Sequence, residues 1–232
     1  MEEASIGEMA RYDGIAEWYD HDFLSEVHDP GRAAAARLLG RKSGRLLDVG
    51  CGTGAHWSAF GELGWEIVGV DISADMLRLA RERGEVVQAD ATQLPFADQS
   101  FDAAVSLWTH TDVDDFWGMA GEVARVLRPA APFVYVGLHP SYVGPHGRFL
   151  FARGVPELHP GYRDEGRYGM EAPGVGSPEG LRAKVGAVHL TLESFLSAFL
   201  SAGLALEHFE ELALDGEPYP YAVALRWRQP SG

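Results

Sequence analysis

Nine residues, Leu46-Leu47-Asp48-Val49-Gly50-Cys51-Gly52-Thr53-Gly54, constrain this chain more than any others. An apolar run ending in alternate glycines reads as a buried strand followed by a sharp turn. Residues without a Cβ let the backbone bend tightly and lie close to a ligand. A second apolar run, Val68-Gly69-Val70, ends in Asp71, seventeen residues past Gly54 (71 − 54 = 17). An acid at the tip of that next strand is placed to accept hydrogen bonds from a ribose diol. Together they predict a site for an adenosine-bearing cofactor.

The order of elements around this pair predicts an α/β fold. Strands are expected at Arg45–Val49, Glu66–Val70, Val86–Ala89, Phe101–Leu107 and Phe133–Leu138. Between them lie helical segments from about Ala55 to Leu63, from the Ser73 cap to Arg83, and from Val113 to Arg128. Ahead of them, Tyr12–Asp20 has helical spacing, and Asp29-Pro30 opens a helix that stops at Gly40. From His139 to about His189 the pattern breaks into a stretch rich in Gly and Pro, with scattered aromatic residues and histidines. Structureless loops of this length are uncommon in compact domains and usually bind or cover a ligand. Thr191 then caps a helix through Ala202, and strands at Leu204–Leu212 and Tyr221–Trp227 are joined by a turn at Asp215-Gly216. Alternating strands and helices imply a parallel sheet covered on both faces, with an antiparallel strand at the end. A single domain of residues 1–232 is expected, with cap helices at about 8–40 and a lid insertion at about 139–190.

Composition narrows the partners. With 19 basic against 34 acidic side chains the formal charge is −15, which disfavours nucleic acid. Cys51 is the one cysteine, so no internal disulfide can form, as in a reducing compartment. The start, Met1-Glu2-Glu3, has neither the basic nor the apolar region of a signal peptide. No apolar run approaches the ~20 residues of a membrane helix. The expected location is cytoplasmic, the expected partner a small molecule, and the oligomeric state, monomer or homodimer, is open.

Two cofactors compete for the glycine loop. A nicotinamide dinucleotide wants Gly-x-Gly-x-x-Gly, whereas here the glycines are 50, 52 and 54, and position 55 is Ala. The compact spacing suits a ligand without pyrophosphate. A further acid, Asp90, ends the third strand. The glycine loop, Val70-Asp71-Ile72-Ser73, Ala89-Asp90-Ala91 with Leu94-Pro95-Phe96, and Glu122 with Arg125-Val126-Leu127-Arg128-Pro129 resemble the motifs of class I S-adenosylmethionine-dependent methyltransferases of the small-molecule type. The resemblance covers roughly residues 12–138 and 189–228. It departs at Ala130-Ala131, where the family usually carries two glycines. It implies a doubly wound, Rossmann-like seven-stranded sheet, mostly parallel with the last strand antiparallel. It also implies S-adenosyl-L-methionine as cofactor and S-adenosyl-L-homocysteine as product.

By that resemblance Asp48 orients the loop or meets the methionine amino group, and Gly50, Gly52 and Gly54 let the cofactor lie on the backbone. Asp71 holds the ribose, Ile72 lies against the adenine, Asp90 and Ala91 read its edge, and Leu107 offers a carbonyl. Tyr12 and Tyr19 are candidates to close over the sulfonium, since aromatic faces attract cations; packing on the core is the other reading. Trp108 faces the same choice. His110, at the carboxyl edge of strand four, is a candidate general base or substrate-positioning group. Asp112, Asp114 and Asp115 suggest helix capping rather than a metal cluster. The histidines at 139, 146, 159 and 189 match no ligand spacing, so no metal is expected. His139, Tyr142 and His146 are candidates to line an acceptor pocket, with Phe149, Phe151, Tyr162 and Tyr168 beside them. One of Arg148, Arg153, Arg163 or Arg167 could meet a substrate anion, with surface ion pairs the favoured alternative. The expected reaction is in-line methyl transfer to an N, O or C atom. The alternatives are a non-methylating enzyme that uses the cofactor as scaffold, and a nicotinamide-dependent oxidoreductase.

Overall fold

The computed structural model describes residues 10–24, 30–150, 155–175, 179–213 and 217–231. Its centre is a seven-stranded sheet in the order β3-β2-β1-β4-β5-β11-β10. These are β1 (Gly44–Val49), β2 (Trp65–Asp71), β3 (Glu85–Gln88), β4 (Ala103–Leu107), β5 (Pro132–Leu138), β10 (Ala205–Leu212) and β11 (Ala222–Arg228). The first five pair in parallel, and β11 runs antiparallel to both β5 and β10. This is the expected mostly parallel sheet with its last strand reversed.

Both faces are covered, which explains the unbroken apolar runs. Leu47 and Val49 point to one layer with Met119, Val123, Phe195 and Phe199, from α4 (Phe116–Val126) and α6 (Leu192–Ser201). Leu46 points to the other, with Ala35, Leu38, Phe60 and Leu77, from α1 (Pro30–Leu39), α2 (Trp57–Gly61) and α3 (Ala74–Ala80). Ser73 caps α3 by accepting from the Met76 amide, and Thr191 caps α6 through the Ser194 amide. The residues quoted as motifs past β3 meet in space: Glu122 accepts from the Leu94 amide at 2.7 Å, and Arg125 donates to the Leu94 and Phe96 carbonyls. At Ala130 the backbone adopts φ +63°, a conformation glycine takes at lower cost, so the departure from Gly-Gly is confined to this turn.

Several boundaries differ from expectation. α2 begins at Trp57 rather than Ala55, because residues 51–56 are spent on the turn. α4 starts only after Asp115, whose side chain accepts from the Gly118 amide; of the three aspartates in that loop it alone caps. The first segment is a helical turn, Ala16–Trp18, running into a π-helical turn, Tyr19–Phe23. Within 139–190 the structure builds two small antiparallel pairs, β6 (Gly147–Leu150) with β7 (Val155–Leu158) and β8 (Gly166–Tyr168) with β9 (Ala187–His189), and one short helix, α5 (Leu181–Val185). Strands of three or four residues are too short to show alternation. The Asp29 cap, Phe151, Arg153 and the Asp215-Gly216 turn lie outside the described residues. No helix among the described residues is long and apolar enough to cross a membrane.

Candidate active site

The glycine loop leaves β1 at the carboxyl edge of the sheet, where strand order reverses between β1 and β4 and where ligands bind in open α/β sheets. Gly50, Gly52 and Gly54 have φ of +70°, +53° and +72°, which L side chains rarely adopt. A Cβ on Gly50 would collide with Thr109, while one on Gly52 would meet nothing within 4 Å. The loop therefore presents open backbone on one side. Asp71 ties it down: Oδ2 accepts from the Gly52 amide and Oδ1 from the Ser73 amide, both at 2.9 Å. Burial raises the Asp71 pKa, and those two amides work against the rise.

Asp48 is 3% exposed, and its Oδ2 accepts from the Trp57 indole N–H at 2.7 Å. The indole lies where a Cβ on Gly84 would stand 2.9 Å from it, and one on Gly69 would collide with it. Gly69, in the middle of β2, is thus explained by close approach rather than by a turn. Burial, with the nearby Asp71 charge, pushes the Asp48 pKa up to about 7 despite the indole hydrogen bond.

The N-terminal segment straps this edge. Tyr12 and Tyr19 meet edge to face at 5.6 Å and pack on Ala16, Met76 and Leu79. Asp20 accepts from the Thr53 hydroxyl at 2.5 Å and from Arg83 at 2.8 Å, and Arg83 also donates to the Thr53 carbonyl. Asp13 accepts from the Ser73 hydroxyl at 2.6 Å. Tyr19, Asp48, Gly50, Gly52, Leu107 and Trp108 border one hollow of about 40 Å³.

Beyond Asp71, Ile72 is 55% exposed, an apolar side chain offered to a flat ligand. Asp90 is exposed, and its Oδ1 takes both the amide and the hydroxyl of Thr92; Ala91 is half-buried beside it. On the other side of the hollow, Trp108 has φ +66°, a strained conformation for a bulky residue, and stacks on Tyr221 with ring centroids 6.5 Å apart.

The histidine expectations fare differently. His110 is 3% exposed, with Nδ1 2.8 Å from the Tyr135 hydroxyl and its ring against Phe195. Burial, then the charge of Arg182, lowers its pKa to about 3. The general-base expectation does not fit: such an imidazole holds no abstracted proton near neutral pH. His139 does not face the hollow as a free group either. Its Nδ1 accepts from the Ser141 amide and its Nε2 lies 2.9 Å from Glu211, so it ties the insertion to β10. Tyr142 packs on His139 and Tyr219. His146 belongs to a separate cluster, with its ring 4.9 Å from His189 and 5.2 Å from Tyr162. These three do not converge on one pocket. No group of three or more His, Cys, Asp or Glu among the described residues is placed to hold a metal ion.

Four site residues escaped the sequence reading: Trp57, Asp20, Arg83 and Arg182. Mid-strand Gly69 was the one available signal for Trp57. Nothing in Leu181-Arg182-Ala183-Lys184 marks Arg182, whose Nη1 stands 3.2 Å from Asp112.

The residues present fit S-adenosylmethionine: Asp48 and the open Gly52 backbone could meet a cation-bearing amino-acid tail, Asp71 a ribose and Ile72 an adenine. Comparisons agree. A family model described as a methyltransferase domain matches residues 47–135. A demethylmenaquinone methyltransferase of Tropheryma whipplei is 34% identical over 160 residues, covering 63% of this chain and 66% of the relative, slightly under two thirds of its length. Another, from Thermus thermophilus, is 30% identical over 195 residues, covering 76% of this chain and 86% of the relative. The crystal structure of an S-adenosylmethionine-dependent methyltransferase from Mesorhizobium loti superposes with a TM-score of 0.67 at 25% identity, covering 93% of this chain and 99% of that one. Glycine loop, acid-tipped β2, reversed last strand and sequence kinship converge: the chain belongs to the class I S-adenosylmethionine-dependent methyltransferases.

Proposed function

We propose that this chain methylates a small molecule with S-adenosylmethionine as donor. The observation that carries the reading is the Gly52 amide held by Asp71 at the switch point of the sheet, with Asp48 buried beneath the same loop. When bound, the cofactor supplies a methyl group on a sulfonium, an electrophile that needs no further activation.

The work left to the protein is alignment and exclusion of water, and oriented pairs gain up to ~7–11 kcal/mol in model reactions. Gly50–Gly54 and Asp48 would hold the amino-acid tail, Asp71 the ribose, Ile72 with Asp90 and Ala91 the adenine, and Leu107 the methionine segment. Tyr12 and Tyr19 would close over the sulfonium from the strap. We infer that the acceptor enters between Trp108 and the 139–190 insertion, which acts as its lid. The charge of −15 supports a metabolite over nucleic acid, and the lone cysteine supports a cytoplasmic setting.

Calorimetry with S-adenosylmethionine, S-adenosylhomocysteine and a nicotinamide dinucleotide tests the cofactor. Chromatographic detection of S-adenosylhomocysteine, with hydroquinones, carboxylic acids, phenols and amines as acceptors, tests the transfer. Hydroquinones belong in the panel because both named relatives act on demethylmenaquinone by their names. Binding of both sulfur nucleosides and turnover of at least one acceptor is expected. Binding of the nicotinamide cofactor alone would overturn the reading.

A further inference from the structure

Behind the strap, three arginines and two aspartates from four separate segments meet. Arg11 comes from the strap, Asp112 and Asp114 from the loop after β4, Arg167 from β8 and Arg182 from α5. Arg11 Nη2 donates to Asp114 Oδ1 at 2.7 Å, and Arg167 pairs with the second Asp114 oxygen. Arg182 Nη1 donates to Asp112 Oδ1 at 3.2 Å, and the Tyr12 hydroxyl also hydrogen-bonds Asp112. With all five ionised the cluster carries one excess positive charge (3 − 2 = 1), in a chain whose formal charge is −15.

Its donors are not used up. Arg11 Nη1 is buried with no hydrogen-bond partner. Among the described residues the Arg182 side chain makes one hydrogen bond, the long one to Asp112, and that side chain is 21% exposed. Burial works against the Arg182 charge, and the Asp112 carboxylate beside it favours the protonated guanidinium. Tyr19, one of the tyrosines near Arg182, also borders the glycine-loop hollow.

We propose that Arg182 binds a carboxylate on the methyl acceptor. The proposal rests on the methyltransferase reading above and adds the acceptor class. A guanidinium fork matches a carboxylate in shape and in number of donors, and one negative charge brings the cluster to neutrality. The chemistry agrees with the state of His110, which is buried against Tyr135 and too weakly basic to take a proton. Methyl transfer to a carboxylate forms one O–C bond, breaks the S–C bond, leaves the electron pair on sulfur and moves no proton. An acceptor already ionised near neutral pH needs no base.

The test is calorimetry on the full chain saturated with S-adenosylhomocysteine. Benzoate, hexanoate and dodecanoate are titrated in, each against its primary amide, with dodecylamine and phenol as further arms. At least one carboxylate should bind tenfold or more tightly than its amide. Arg182→Gln should abolish that preference while S-adenosylhomocysteine affinity stays within twofold. Because that change removes the counter-charge of Asp112, the double variant Arg182→Gln/Asp112→Asn is measured too and should behave alike. Equal binding of acids and amides, a carboxylate preference that survives in both variants, or tighter binding of the amine or phenol overturns the anchor alone. If the unaltered chain binds no S-adenosylhomocysteine, the methyltransferase reading itself fails.

Discussion

The two halves of the carboxyl edge are built differently. On the β1–β3 side a short stretch of backbone does most of the positioning: Asp71 grips two amides, and the loop glycines occupy conformations closed to other residues. On the β4–β5 side nearly every functional candidate is held by a side chain distant in sequence. Asp112 meets Arg182 seventy residues away, and His139 meets Glu211 seventy-two away. On the proposed reading the first half takes the cofactor through its backbone, and the second takes the acceptor through side chains that can change without disturbing the sheet.

Four measurements probe that division, from the largest expected effect to the smallest. Trp57→Ala empties the space among Gly54, Gly69 and Gly84 and leaves Asp48 without its donor, so it should cost about 3–5 kcal/mol of stability in urea unfolding. A loss under about 1 kcal/mol would mean the loop does not depend on that indole. Asp71→Ala orphans two amides and removes the proposed ribose ligand. Its cofactor affinity should fall by about 1.5–3 kcal/mol, or roughly ten- to a hundredfold, by calorimetry; unchanged affinity refutes the cofactor half as drawn.

The third concerns pH. With its pKa raised to about 7 in the fold, Asp48 binds its proton more tightly folded than unfolded. The Asp48 contribution to the stability of the unliganded chain should therefore fall as pH rises from about 4 to about 7, while buried His110, with its pKa lowered to about 3, contributes with the opposite sign over the same range. Affinity for the cationic cofactor should rise over the upper part of the same range and level off above it. Asp48→Asn should make stability rise more steeply with pH over that range and remove the Asp48 part of the affinity change, leaving that of Asp71, and a cofactor affinity independent of pH in the unaltered chain would contradict this assignment. Smallest is Asp114→Asn. Asp114 is 57% exposed, so losing its pairs with Arg11 and Arg167 should cost under about 1 kcal/mol in thermal unfolding. A larger loss would make this junction of strap and insertion structural.

Legibility followed the same line. Gly50, Gly52, Gly54 and Asp71 were readable because strand–loop–strand geometry is local and glycine has few other reasons to recur at alternate positions. His110 misled because its place after β4 is correct while its burial against Tyr135 and Phe195 depends on α6, some eighty residues on. The insertion read as loop because its strands span three or four residues. Asp112 and Asp114 read as helix caps because their arginine partners lie in other segments.

From the chain of residues alone came the parallel sheet, its reversed last strand and the edge for an adenosine-bearing ligand, and the resemblance of its motifs to a known family named the cofactor. The first three follow from periodicity and backbone conformation, which neighbouring residues dictate. The folded molecule decided which charges pair, which histidines are silenced and where a guanidinium stands with donors to spare. Burial and electrostatic coupling are properties of what packs around a side chain, and that is settled only when distant segments meet.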